Sequence, residues 1–331
     1  MLYDEAFVAR LGAAVEAALP RWSLAPGTAV ELLTVSENAT FLAEEPGGRR
    51  LVVRVHRPGY HSRAEILSEL AWIEALRAEG VVETPEPVRA TDGELLLTLP
   101  DGDMPRLAVA FAHMPGREPA ADADLVAWFG HLGAVSARLH GHARAWARPP
   151  GFARKLWHFD TMLGPTPHWG PWRAGLGLDA AGPAATALLA RTAATLEARL
   201  ARYGTGPERF GLVHADLRLA NLLVEGDRLG VIDFDDCGFS WFAYDFAAAV
   251  SFIEHEPIVP ELMAAWIDGY RAVAPLAAAD AAEIPVFVML RRMLLTAWIA
   301  SHAETPTALA LGAGYTHGTI ALADDFLTRF G

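Results

Sequence analysis

The octapeptide His214-Ala215-Asp216-Leu217-Arg218-Leu219-Ala220-Asn221, followed by Val231-Ile232-Asp233-Phe234-Asp235, constrains this chain more than any other feature. Apolar runs precede and follow the octapeptide. They read as short strands over 211–213, 222–224 and 229–232, with Glu225-Gly226-Asp227 as the turn between the last two. Such a loop presents a carboxylate, an amide and a second carboxylate from closely spaced strand ends. Oxygen ligands of this kind suit a hard divalent cation, and a positioned carboxylate can accept a proton or orient a hydroxyl. Asp216 is therefore the candidate catalytic residue, and Asn221 and Asp233 are the candidate metal ligands. Asp235 or Asp236 could extend the acidic cluster, but capping of the following turn is the expected role. His214 reads as a loop-fixing group, since no second His or Cys lies nearby to share a metal. Asp245 is expected to accept backbone N–H groups of the loop.

The 331 residues suffice for two hydrophobic cores, and 52% hydrophobic with 20% charged residues describes a folded chain. Cys237 is the only cysteine, which excludes a disulfide framework and fits a reducing cytoplasm. The net charge of −13 argues against nucleic-acid partners. It suits ordinary solubility and is compatible with cationic substrates. No run is expected to cross a membrane, because the longest candidate, 286–300, is interrupted by Arg291-Arg292.

Residues 1–19 read as an amphipathic helix through Phe7, Leu11, Val15 and Leu19. Strand patterns follow over 28–35, 41–44 and 49–56, with a hairpin turn at Glu45-Pro46-Gly47-Gly48. Ser62 with Glu65 forms a capping box for a helix whose apolar stripe is Ile66, Leu70, Ile73 and Leu76. Two more strands are expected at 95–99 and 107–112. Helical patterns then dominate at 122–146, 180–203, 258–273 and 280–303, interrupted by a Pro/Gly/Trp-rich stretch at 148–177. The change near 112–116 is the expected hinge. It divides a nucleotide-covering lobe, 1–112, from a catalytic and acceptor-binding lobe, 113–331, with a ligand cleft between them.

The spacing H-x-D-x-x-x-x-N followed by Asp-Phe-Asp also matches the catalytic loop and metal-binding segment of kinases. In that chemistry one carboxylate meets the incoming hydroxyl, while an amide and a second carboxylate hold Mg²⁺ against the triphosphate. The strand Leu51-Val52-Val53 ends on Arg54, where the kinase pattern has lysine; Lys155 is the only lysine in the chain. Arg54 must then carry the phosphate-directed charge, with Glu69 as its natural partner and Glu65, also called on by the capping box, as the alternative. No G-x-G-x-x-G is present. Ser36-Glu37-Asn38-Ala39-Thr40 fills that turn, and Ser36 and Asn38 are candidate phosphate contacts. Phe111, His113 and Met114 are expected to pass the adenine with their backbone groups.

Residues 213–246, with Ser36 to Phe41, Val53 to Tyr60 and Ser68-Glu69-Leu70, resemble the aminoglycoside phosphotransferase/choline kinase group, nearest to its homoserine kinase type II-like and stress-response kinase-like branch. The resemblance implies an α+β, bilobal protein-kinase-like fold. Its N-lobe would be a small antiparallel sheet with one helix, and its C-lobe larger and mainly helical. It implies ATP or GTP and Mg²⁺ as cofactors and a small-molecule hydroxyl as acceptor, such as an amino acid, aminoglycoside, choline-like alcohol or sugar. Arg54 is the departure from the pattern. Asp160 and Glu254 are candidate amine contacts, and Arg291 or Arg292 candidate carboxylate contacts. The aromatic stretch 156–172 either walls an acceptor pocket or covers core. Two other readings stand beside this one. A Ser/Thr protein kinase is disfavoured because eleven residues separate Asp233 from Asp245. A nucleotide-binding protein with little catalysis is suggested by Arg54. Oligomeric state is not legible.

Overall fold

A computed structural model describes residues 5–35, 38–119, 124–178 and 182–331. In chain order the elements begin with α1 (Glu5–Ala18), β1 (Ala29–Val35), β2 (Ala39–Glu44), β3 (Arg50–Val55), α2 (Arg63–Ala78), β4 (Pro87–Val88), β5 (Leu96–Leu99) and β6 (Arg106–Ala112). They continue with α3 (Leu125–Ala145), β7 (Lys155–Leu156), α4 (Phe159–Met162), α5 (Arg173–Leu178), α6 (Pro183–Tyr203), β8 (Phe210–Val213), β9 (Leu222–Glu225) and β10 (Arg228–Val231). The last five are β11 (Gly238–Trp241), α7 (Tyr244–Ala249), α8 (Val259–Arg271), α9 (Ala278–Ser301) and α10 (Pro306–Phe330). The fold is α+β. The chain forms two compact units, one of residues 1–117, 147–154 and 223–235, the other of residues 118–146, 155–222 and 236–331.

The first unit is built on an antiparallel sheet in the order β1-β2-β3-β6-β4, with β5 also on β6. Side chains alternate across a strand, and β3 uses both faces. Leu51, Val53 and Val55 enter a core shared with Phe41, Ala108, Ala110 and the α1 residues Phe7, Leu11 and Val15. The intervening Arg54 points to the opposite face, where its strand neighbour Val109 packs with Ile66 and Leu70 of α2. Ser62 and Glu65 make the reciprocal cap of α2, which fixes where the helix begins and so the phase at which Glu69 arrives. The hairpin β9–β10 completes this unit, Val224 exchanging backbone bonds with Arg117.

The second unit is mainly helical, with one small sheet in the order β7-β11-β8. The two short strands β7 and β11 and the helix α10 were not expected from the sequence. The tryptophans of the 148–177 stretch serve as core: Trp157, Trp169 and Trp172 are 1%, 5% and 2% exposed. Helix α9 corrects the reading of that segment. It is long and apolar enough to cross a bilayer by length and composition, yet 78% of the apolar window is buried inside the protein. Its arginines are bonded internally and do not interrupt it.

Helices α3 and α8 meet backbone to backbone. A Cβ on Gly133 would stand 2.0 Å from the Trp266 carbonyl oxygen, and one on Gly269 would stand 1.9 Å from that of Gly130. Overpacking of this kind costs about 1–3 kcal/mol. Gly269→Ala and Gly133→Ala are each expected to lower the urea midpoint accordingly. Gly141→Ala on the same α3, where no atom lies within 4 Å of the added carbon, should leave the midpoint unchanged or raise it.

Candidate active site

In the first unit the chemistry gathers around Arg54. Its Nη2 bonds Glu69 Oε1 and Oε2 at 2.7 and 2.6 Å, and Glu69 is fully buried. Nη1 stands 3.6 Å from Asp233 Oδ1, Nη2 stands 3.6 Å from Asp235 Oδ1, and the Phe111 ring lies 5.4 Å below Cζ. Burial opposes the charge on Arg54, but the attraction of Glu69, Asp235 and Asp233 outweighs it and raises the pKa above its ordinary value. The guanidinium is therefore a permanent cation facing three carboxylates.

Asp235 corrects an expectation. It does not simply cap a turn; it is a buried hub. Its Oδ2 accepts from Asn38 Nδ2 at 2.8 Å and lies 3.3 Å from His61 Nε2, while Oδ1 lies 3.6 Å from His56 Nδ1. Arg154 donates to its carbonyl. Burial would raise the Asp235 pKa, but Arg54, His61 and His56 hold it well below the usual carboxylate range. The Asn38 side chain is thus spent on Asp235 and, through Oδ1, on the Arg57 N–H at 3.3 Å. A phosphate contact at Asn38 would fall to its backbone. Ser36 and Glu37 lie outside the described residues.

The segment expected to pass the adenine is held by strands. Phe111 pairs in register with Val52 and with Pro87. The N–H of His113 donates to Arg50 at 3.2 Å, so that donor is used within the sheet and is not the one an adenine would meet. Met114 packs on β10, where a Cβ on Gly230 would be 2.2 Å from its sulfur.

In the second unit the loop after β8 is held from beneath. Asp245, fully buried at the start of α7, accepts the Ala215 N–H at 2.8 Å and the His214 N–H at 3.4 Å. This is the role expected for it. Ala215 adopts φ of 66°, a left-handed conformation that L-residues resist, so the bond to Asp245 offsets a local cost. His140 Nε2 donates to the same carboxylate at 2.8 Å, and burial keeps that imidazole below its usual pKa, hence neutral. His214 Nδ1 accepts the Asp216 N–H at 3.3 Å, which fixes the loop as expected.

Asp216 and Asn221 are brought together. The Asn221 amide nitrogen donates to the Asp216 carbonyl at 2.8 Å and to Oδ2 at 3.0 Å. With the nitrogen so used, the amide oxygen is the atom suited to a metal. Arg218 Nε lies 3.2 and 3.3 Å from the two carboxylate oxygens, and Arg291 Nη2 donates to Oδ1 at 3.0 Å. Arg291 is the site residue whose partners the sequence did not reveal. It is buried, with Nε on Ser251 Oγ at 2.9 Å and Nη1 on Tyr244 Oη at 3.0 Å. It anchors Asp216 in place of a substrate carboxylate. Its only sequence signal is a charge pair inside an otherwise apolar helix.

Glu254 and Arg292 pair with each other at 2.8 Å, and Tyr315 Oη donates to Glu254 at 3.1 Å. Both are buried, so the expected amine and carboxylate contacts are withdrawn for them. The Asp160 side chain is 61% exposed. Among the described residues no three His, Cys, Asp or Glu gather to hold a metal. A divalent ion here would depend on an amide, a carboxylate and phosphate oxygens.

His56 supplies a pH test. Burial, then Arg54, lowers its pKa from 6.5 to about 3. Between those values the unfolded chain binds a proton that the folded chain refuses. Stability is full above pH 6.5 and is lost as pH falls toward 3, by up to about 1.4 kcal/mol per unit. His56→Asn is expected to flatten this slope in urea unfolding between pH 6.5 and 4, whatever it does to stability at neutral pH.

Residues 29–279 match the family described as APH, phosphotransferase enzyme family. The chain is 43% identical to the chain in a structure of "the microcompartment-associated aminopropanol kinase", covering 96% of this chain and 98% of that one at a TM-score of 0.89. It is 25% identical to "Amicoumacin kinase hAmiN", solved with AMP-PNP, Ca²⁺ and Ami, covering 98% and 94% at a TM-score of 0.75. A protein named "Homoserine kinase" from Acidiphilium cryptum is 33% identical over 66% of this chain and 65% of its own. The fold is kinase-like, and the chain belongs to the APH phosphotransferase enzyme family.

Proposed function

We propose that this protein transfers the terminal phosphoryl group of ATP to the hydroxyl of a small amino alcohol. The observation that carries the reading is the Asp216–Asn221 pair, in which the amide nitrogen steadies the carboxylate and leaves the amide oxygen for a cation. The likeness to the aminopropanol kinase structure supports an amino alcohol over the wider list of alcohols.

In this reading Asp216 orients the acceptor hydroxyl and takes its proton. The hydroxyl oxygen bonds to the γ-phosphorus as the bond to the bridging oxygen breaks, and ADP leaves. Arg54, fixed by Glu69, supplies charge to the phosphates, and its planar fork serves where lysine would be a point charge. Asn221 and Asp233 are the proposed ligands of Mg²⁺, which neutralises phosphate charge when bound. The 111–114 segment is the proposed adenine contact, the first unit the nucleotide-covering part and the second the acceptor-binding part. GTP is the alternative donor, and a cytoplasmic setting follows from the nucleotide.

A peptide acceptor is disfavoured by β11. Residues 238–241 pair along β8 and also meet β7, so part of the short span from Asp233 to Asp245 is already sheet.

Turnover of an amino-alcohol panel with radiolabelled ATP tests the proposal. Asp216→Asn is expected to lose about 10²–10⁴-fold in kcat while keeping the rise in Tm that ATP–Mg²⁺ produces. Asp233→Ala is expected to lose the divalent-dependent turnover. Wild-type rates in both variants would refute the assignments.

A further inference from the structure

Within the second unit Asp216 belongs to a closed circuit of contacts. Arg218 Nε reaches both of its oxygens, and Arg218 Cζ lies 5.8 Å from the Phe252 ring centroid. Phe252 meets Trp298 at 5.7 Å, Trp298 stacks on His302 at 4.9 Å, and His302 meets Trp169 at 6.3 Å. Arg291 stands 5.6 Å from Trp169 and returns to Asp216 at 3.0 Å. Phe252 has φ of 74°. A bulky residue in that region is a true outlier and persists only where its surroundings hold it. Four of the six side chains around Asp216 are buried; Arg218 and Phe252 are half-buried.

The two arginines on Asp216 are unequal. The Arg291 side chain is 5% exposed and spends its donors on Ser251, Tyr244 and Asp216. The Arg218 side chain is 33% exposed, and its bonds to Asp216 are longer. Longer bonds from the more exposed of the two arginines are the weaker hold, so Arg218 is the partner that can leave. It also has to leave. Oδ1 already accepts from Arg291 and Arg218, and Oδ2 from Asn221 and Arg218. A hydroxyl reaches the carboxylate by displacing Arg218.

What departs is a cation joined to a carboxylate at one end and resting on an aromatic face at the other. A small cation carrying a hydroxyl restores both contacts. Resting on the phosphotransferase reading above, we propose that Arg218 is a displaceable stand-in for the acceptor. Its seat between Asp216 and Phe252 takes an amino alcohol, the hydroxyl on the carboxylate and the ammonium against the Phe252 ring.

The test compares 1-amino-2-propanol with 1,2-propanediol, a neutral acceptor of the same size, in steady-state kinetics. The wild type is expected to favour the amine in kcat/KM. Phe252→Leu should raise KM for the amine about 3- to 10-fold and leave the diol unchanged, whereas Phe252→Tyr, which keeps the ring face, should retain the wild-type KM. Arg218→Gln should lower KM for the amine, because no resident cation must be displaced. Equal treatment of amine and diol by the wild type, an equal effect of Phe252→Leu on both, or an unchanged or higher amine KM in Arg218→Gln overturns the seat alone. Failure of the wild type to phosphorylate any alcohol overturns the phosphotransferase reading instead.

Discussion

A carboxylate with no exposed surface holds the loop after β8 in shape. Asp245 spends its oxygens on two consecutive backbone N–H groups, those of His214 and Ala215, and on the neutral imidazole of His140. Two N–H groups aimed at one acceptor accompany the turn that puts Ala215 in the left-handed region, and Asp216 follows with Asn221 beside it. Burial makes the bonds strong and makes their loss costly, since an unpaired carboxylate in this position would carry its full desolvation penalty. The His140–Tyr270 contact extends the same support to α8, so the loop is referred to the helix pair that packs on glycine.

The first unit solves a different electrostatic problem. Three carboxylates, Glu69, Asp233 and Asp235, surround one guanidinium. Glu69 and Asp235 are buried and hydrogen-bonded, while the Asp233 side chain is 50% exposed and only 3.6 Å from Arg54. The difference separates roles: two carboxylates hold the arginine, and the third remains accessible to a cation. Arginine suits this duty, because its fork reaches several oxygens at once and stays charged when buried.

Local pattern made much of this legible. Period-two alternation in β3 sends Arg54 toward α2, the capping box sets the phase that delivers Glu69, and the H-x-D-x-x-x-x-N spacing places Asn221 against Asp216. What escaped was non-local. The Asp235 hub draws Asn38 from 197 residues away, and no pattern within 233–236 signals that. Arg291 reads as a charge in an apolar segment until its three partners, from the loop after β8, α7 and Ser251, are brought to it. Helix α10 escaped because Gly314 and Gly318 weaken its intrinsic preference and Gly312, at φ 45° and ψ −144°, kinks it. It stands through tertiary bonds, including those of Tyr315 and Thr319 to Arg292.

Neighbouring residues on a helix point in directions about 100° apart, so Arg291 and Arg292 pin α9 from two sides. Arg292 is tied to Glu254, Thr319 and the Tyr315 carbonyl, which fixes the roll of α9 about its own axis. That roll sets the bearing from which Arg291 meets Asp216. The C-terminal helix therefore works, through Arg292, as a remote alignment bracket for the contact of Arg291 with the Asp216 carboxylate.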